Sequence, residues 1–393
     1  MNDNNAYYGN IYWPFSICCN QRDEIIVADS FNNRILVFSL EFIFKYQIGR
    51  QEEKNSANCD QFDEPCDIIL NDSQKLLVAD KNNFRIQIFA EIRKFRKAEF
   101  DAKNEEPLSS SFEYVFDEII KLKEKPIKIS SSIFTNITAV GCENGFVFII
   151  NDSNQIISYL DLNDRNPNHI KNICLNEDGS LLISLNIKEK CLKFYQINAE
   201  INEDDDIDSY IRKKRTHYIK ELELVERHDL DTKYKPGICL SQASCLKLSQ
   251  DYKKFFIFDQ LNLNLIEYNL KGQFERIILT AEDGLSNVLS FDYSGDREHL
   301  VTSEALFNKF KQNTTANSLI TSKLSFNQSS NFNKQNQNLI RRSWPYEFRL
   351  KVYKYKDCNC HYGDNSKPAS RLSSLNRNTY QFSFNITNSS THN

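Results

Sequence analysis

Short apolar runs, broken by clusters rich in Asn, Asp, Ser and Lys, recur along most of the chain. Their length and their Val, Ile and Phe content read as β-strands, and the polar clusters between them read as turns. Residues 42–48 alternate, with Phe42, Phe44, Tyr46 and Ile48 on one face, as expected of a half-buried outer strand. Two stretches repeat nearly word for word. Val27-Ala28-Asp29-Ser30-Phe31-Asn32-Asn33-Arg34-Ile35 is matched by Val78-Ala79-Asp80-Lys81-Asn82-Asn83-Phe84-Arg85-Ile86. In each, an apolar run stops at an Asp, a polar turn follows, and an Arg opens the next run. Antiparallel pairing of those runs predicts a carboxylate–guanidinium latch, Asp29 with Arg34 and Asp80 with Arg85.

Four weaker copies follow. The hairpin over 137–148 carries Gly141 and Phe146 where the latch is expected. The hairpin over 183–195 carries Leu185 and Lys190. The next, over 256–268, keeps Asp259 and has Asn264 in place of the Arg, and the last has Arg349 at the Arg position. Six such hairpins predict a single all-β ring of blades, because a lone blade leaves both faces unburied and stacking covers them. The blades are expected at about 14–49, 65–100, 116–162, 169–197, 243–279 and 287–355. Residues 1–13 form an N-terminal segment. Insertions fall at 200–235 and 308–338, and a low-complexity tail covers 356–393. The polar composition of 308–338 predicts disorder. Within the tail, 379–387 alternates Tyr380, Phe382, Phe384 and Ile386 and is the expected closing strand of the last blade; Tyr7 to Trp13 is the alternative. A pair of β-sandwiches is the alternative fold.

The double motif, with Pro14 and Pro65 ahead of it, resembles the NHL repeat. The resemblance implies a six-bladed β-propeller of NHL repeats with disordered insertions, similar to the propeller of TRIM-NHL and RING-NHL ubiquitin ligases. In those proteins the propeller selects substrates or RNA for a catalytic RING that precedes it. This sequence shows no RING, B-box or coiled coil. The resemblance therefore implies a non-catalytic module recognising a protein partner or substrate in ubiquitin-dependent turnover. The alternative is a single-stranded RNA-binding propeller in post-transcriptional regulation, and a third reading is a metal-dependent lyase or lactonase.

Composition narrows these readings. The net charge of −4 gives no global field for nucleic acid. Lys81, Arg85 and the 93–97 basic cluster remain as a local RNA patch, although basic residues on an outer strand also protect its edge from pairing. Arg212-Lys213-Lys214-Arg215 lies beside an acidic run and reads as a solvated loop or a long outer hairpin. The six His (His169, His217, His228, His299, His361 and His392) share no repeat position, so a His-ligated lyase centre is not expected. On the inner strands, over 15–19, 67–70, 127–131, 173–176, 245–249 and 289–293, only Asp67 and Asp292 are candidate calcium ligands. No cofactor, metal or catalytic residue is expected. Cys358-Asn359-Cys360-His361 lacks a second ligand pair. Cys18, Cys174, Cys191 and Cys245 lie in apolar runs and read as buried thiols. The first residues carry no basic and apolar signal pattern, and no apolar run is long enough to span a membrane, so the expectation is a cytoplasmic protein without a membrane partner. This blade scheme assigns the insertions 50–63, 101–111, 200–235 and 308–338 to one face, together with Asn32, Asn33, Lys81, Asn82, Glu143, Asn144 and Lys188, the expected recognition residues.

Overall fold

The computed structural model describes residues 11–49, 61–95, 110–135, 137–162, 170–186, 191–199, 219–229, 243–249, 253–295, 299–307, 346–354 and 380–384. They form six antiparallel sheets of four strands each. Blade 1 is β1 (Pro14–Cys19), β2 (Glu24–Asp29), β3 (Arg34–Ser39) and β4 (Phe44–Ile48). Blade 2 is β5 (Pro65–Leu70), β6 (Leu76–Asp80), β7 (Arg85–Phe95) and β8 (Ser110–Lys121). Blade 3 is β9 (Pro126–Ser131), β10 (Thr138–Cys142), β11 (Phe146–Ile150) and β12 (Ile156–Asp161). Blade 4 is β13 (Ile170–Leu175), β14 (Leu181–Asn186), β15 (Cys191–Ala199) and β16 (Ile219–Asp229). Blade 5 is β17 (Ala243–Leu248), β18 (Lys254–Asp259), β19 (Asn264–Asn269) and β20 (Phe274–Leu279). Blade 6 is β21 (Asn287–Tyr293), β22 (His299–Phe307), β23 (Tyr346–Lys354) and β24 (Tyr380–Phe384).

Strand position explains strand sequence. β2 and β3 lie between neighbouring blades on both faces and are buried along nearly their whole length, so they read as unbroken apolar runs. β4 has one face in solvent and alternates. Each seam between blades is a separate apolar core. Ile26, Ala28 and Val37 of blade 1 pack with Ile68, Val78 and Phe89 of blade 2. The last seam joins Ile17, Val27 and Leu36 of blade 1 to Val301, Leu350 and Val352 of blade 6. Neighbouring first strands touch all the way round, β21 against β1 included. The molecule is a closed six-bladed β-propeller.

Two sets of connections leave opposite faces. The β2–β3 type turns and the blade-to-blade links share one face, here called the latch face. The β1–β2 and β3–β4 type turns share the other.

Several strands differ from the sequence reading. Blade 2 takes its outer strand from β8, not from residues 92–100, because β7 runs on through Phe95 and pairs back with β8. The stretch 116–121, assigned by pattern to blade 3, thereby belongs to blade 2. Blade 4 draws β16 from within 200–235, which was expected as an insertion. Long separations in sequence therefore fall between third and fourth strands (β7 to β8, β15 to β16, β23 to β24) as well as between second and third (β22 to β23), so the placement of the insertions in the chain does not single out a recognition face. Register also moves two latch positions: Cys142 and Asn186, not Gly141 and Leu185, stand opposite the start of the first strand as Asp29 stands opposite Pro14. Lys190 lies outside the described residues. β24 pairs with β23 from Val352↔Tyr380 to Phe348↔Phe384.

Candidate functional site

The latch geometry is the same in blades 1 and 2. Arg34 Nε lies 2.8 Å from Asp29 Oδ2, and Arg85 Nε lies 2.7 Å from Asp80 Oδ2. Asn32 and Asn83 each donate their side-chain amide to the same carboxylate, at 2.8 and 2.9 Å. The other carboxylate oxygen accepts the backbone N–H of the incoming chain, Tyr12 at 2.6 Å and Asp63 at 2.8 Å. The latch therefore ties together a turn, the next strand and the link that enters the blade. Both carboxylates are fully buried. Burial pushes Asp29 and Asp80 above the usual carboxylate range, against the pull of the guanidiniums and amides. Blade 5 keeps part of the device: Asn262 Nδ2 donates to Asp259 at 2.8 Å. In blade 6, register sets Arg349 opposite Glu304, and Lys351 Nζ reaches the Glu304 carboxylate at 2.8 Å.

The expected recognition residues divide into two groups. Asn32 belongs to the blade 1 latch. Asn33 accepts the backbone N–H of Glu64 at 2.9 Å, and Asn144 accepts that of Phe146 at 3.3 Å, so both hold loops in place. Lys81, Asn82 and Glu143 do converge. Lys81 Nζ lies 3.1 Å from Glu64 and 3.6 Å from Glu143. Asn82 donates to Glu64 at 3.1 Å and accepts from Lys125 Nζ at 3.3 Å. Lys188 lies outside the described residues.

The residue that pattern reading missed is Phe84. It is 39 % exposed, and Lys125 sits 5.7 Å from its ring centre. Its φ is +54°, in the left-handed region that a bulky side chain rarely adopts. Asn33 holds the matching place in blade 1, with φ +55°. The signal was present in the sequence: blade 1 reads Ser-Phe-Asn-Asn-Arg and blade 2 Lys-Asn-Asn-Phe-Arg, so the Phe has moved to the position that favours Asn. In blade 1 the other Phe, Phe31, stacks on Trp13 at 5.9 Å.

The first strands line a central channel of about 370 Å³. Its polar residues zip the ring together. Ser16 Oγ accepts the N–H of Ile68 at 3.2 Å, Asp67 that of Ile129 at 2.7 Å, Ser130 that of Leu175 at 2.8 Å, and Ser290 that of Ile17 at 3.2 Å. Asp67 also holds Lys128 at 3.2 Å, and Asp292 holds Lys247 at 2.7 Å and the N–H of Cys19 at 3.0 Å. The two carboxylates weighed as calcium ligands are thus engaged in inter-blade contacts. Among the described residues, no three His, Cys, Asp or Glu side chains are grouped to hold a metal ion. Cys18, Cys174 and Cys245 are buried, and burial pushes the Cys174 thiol up to about 12; the Cys191 side chain lies outside the described residues. Among the described residues no helix is long and apolar enough to cross a membrane.

The basic patch divides too. Arg85 is buried in its latch. Arg93 and Lys94 lie on the β7 extension, toward the opposite face, where Lys94 pairs with Glu113. Residues 96–97 lie outside the described residues.

No protein-family model matches the chain, and no curated protein matches it. Among solved structures, the β-propeller domain of Myceliophteria thermophila Cps50 (Swd1) aligns over 73 % of this chain and 78 % of that one, at 11 % identity and a TM-score of 0.42. That likeness is too loose to argue from, and the assignment as a six-bladed propeller rests on the sheets and seams of this chain.

Proposed function

We propose that this propeller is a non-catalytic module that recognises a protein partner through the latch face of blades 2 and 3. The observation that carries the reading is Phe84. The left-handed backbone recurs at this turn position, in Asn33 of blade 1 and Leu263 of blade 5; what sets Phe84 apart is an exposed aromatic ring there, at a stability cost of the kind that collects at functional sites. Around it stand Lys81, Asn82, Lys125 and Glu143, giving an apolar centre with a charged rim, the anatomy of a protein interface. The finer reading, that the partner is a substrate or component of ubiquitin-dependent turnover, rests on the resemblance of the two latches to NHL repeats. RNA is less well supported, because Lys81 is shared between two carboxylates and Arg85 is buried.

Phe84→Asn installs the residue that blade 1 carries at this place. Affinity capture with the wild-type chain and this variant, quantified by mass spectrometry, tests the proposal. The expected result is a set of proteins, among them a ubiquitin-ligase component, reduced by about tenfold or more in the variant. Equal capture by both chains, or salt-sensitive retention of RNA in place of protein, would count against it.

A further inference from the structure

The charged groups on the channel wall cancel. They are Asp67, Lys128, Lys247 and Asp292, and they pair off, Lys128 with Asp67 and Lys247 with Asp292. An ion entering the channel would shed its water without finding a spare counter-charge. The neutral polar groups are different. Ser16, Asp67 and Asn172 hold the same place on their first strands, each opposite the residue just before the latch position, Ala28, Ala79 and Leu185. Ser16 and Asp67 accept an N–H from the first strand of the next blade, Ile68 at 3.2 Å and Ile129 at 2.7 Å. Asn172 leaves this zip. Its Oδ1 accepts the N–H of Ile173, the next residue of its own strand, at 2.9 Å. Its Nδ2 finds no acceptor among the described residues, although Asn172 is only 7 % exposed and lines the channel. A donor left unmatched in so buried a place is costly unless something in the channel accepts from it.

Asn172 is not alone. Ser290 Oγ accepts the N–H of Ile17 at 3.2 Å, and its own O–H has no acceptor among the described residues. Gln21 and Gln74 line the channel from first-to-second-strand turns, so it opens on the face opposite the latches, and neither side-chain amide is hydrogen-bonded among the described residues. These four groups come from blades 4, 6, 1 and 2. They therefore match a ligand that carries uncharged donors and acceptors around its whole perimeter. The volume of about 370 Å³ is in the range of small-molecule sites. We propose that the channel binds an uncharged monosaccharide, with Asn172 Nδ2 donating to a sugar oxygen. The site lies on the face opposite Phe84 and is independent of the partner surface.

Saturation-transfer NMR of the full chain with D-glucose, D-galactose and D-mannose, alongside the matching amino sugars and uronic acids, tests the site. Saturable binding of at least one neutral sugar is expected, with Tm rising as its concentration rises. Its cationic and anionic analogues are expected to bind about tenfold more weakly or worse. Asn172→Asp keeps the acceptor for the Ile173 N–H and removes the amide donor. It is expected to weaken binding by about tenfold while keeping the wild-type far-ultraviolet circular dichroism; Asn172→Leu replaces it if the Asp variant does not fold. Absence of saturable binding by all three neutral sugars overturns the proposal. So does a charged analogue that binds as tightly as its neutral parent, or a folded Asn172 variant that binds like wild type.

Discussion

At the scale of single residues, the latches and Phe84 make opposite demands on stability. Asp80 compensates the buried Arg85 guanidinium and accepts from Asn83, Gln87 and the backbone of Asp63. Asp80→Ala removes that acceptor and leaves a buried cation, which costs about 3–5 kcal/mol. Urea unfolding measures it, and a loss below about 1 kcal/mol would contradict the latch. Phe84→Asn is expected to act the other way, stabilising by about 0.5–1 kcal/mol, because Asn tolerates the left-handed backbone better. A variant that gains stability and loses its partner separates recognition from folding. The latch was legible because its Asp, Asn and Arg are local in sequence. Phe84 was not, since its meaning depends on a backbone angle that only the comparison of Phe84 with Asn33 brings out. The cation facing Glu304 was also hidden: a pattern supplies Arg349 in register, but reach along the strand brings Lys351 to the carboxylate.

At the scale of elements, the middle two strands of most blades could be read directly, because burial on both faces demands continuous apolar runs. Outer strands were harder. A strand with one wet face tolerates charge, so β8 and β16 carry polar residues and sit beyond long connections that break the repeat. β24 supplies the outer strand of blade 6, and it caps the β23 edge. Truncation after Lys356 is expected to lower Tm and to increase hydrophobic dye binding; unchanged melting would show that β24 adds nothing to the ring. Glu267, on β19, is the centre of a second element-level device, with Lys254 at 2.7 Å and Arg276 at 3.0 Å. Burial opposes its ionisation, but the two cations outweigh burial and hold the carboxyl below its usual range. Its folded pKa lies below the unfolded one, so its stabilisation is complete above the unfolded value and fades as pH falls through the folded value. Glu267→Gln should therefore cost about 1–2 kcal/mol at pH 7, and the difference from wild type should shrink as pH falls below about 4. Denaturation at a series of pH values reads this out; a difference that grows in acid would reverse the sign.

At the scale of the whole molecule, closure of the ring joins the two ends of the described chain. Blade 6 meets blade 1 through Ser290 with Ile17, Asp292 with Cys19, and Ser303 Oγ with the carbonyl of Pro14 at 2.9 Å. At the same seam a Cβ on Gly295 would lie 2.6 Å from the carbonyl oxygen of Asn20. Gly295→Ala should therefore cost about 1–3 kcal/mol through a clash with backbone. Sequence periodicity could predict that a ring forms but not this close approach, which joins residues far apart in the chain. A closed ring offers two broad faces, and the recognition proposal assigns one of them. The most direct test is hydrogen–deuterium exchange on the chain bound to its captured partner. Slowed exchange is predicted at 81–84, 122–125 and 143–145, on the latch face of blades 2 and 3. Slowed exchange confined to the turns at 39–43, 132–135 and 151–155, on the opposite face, would contradict it.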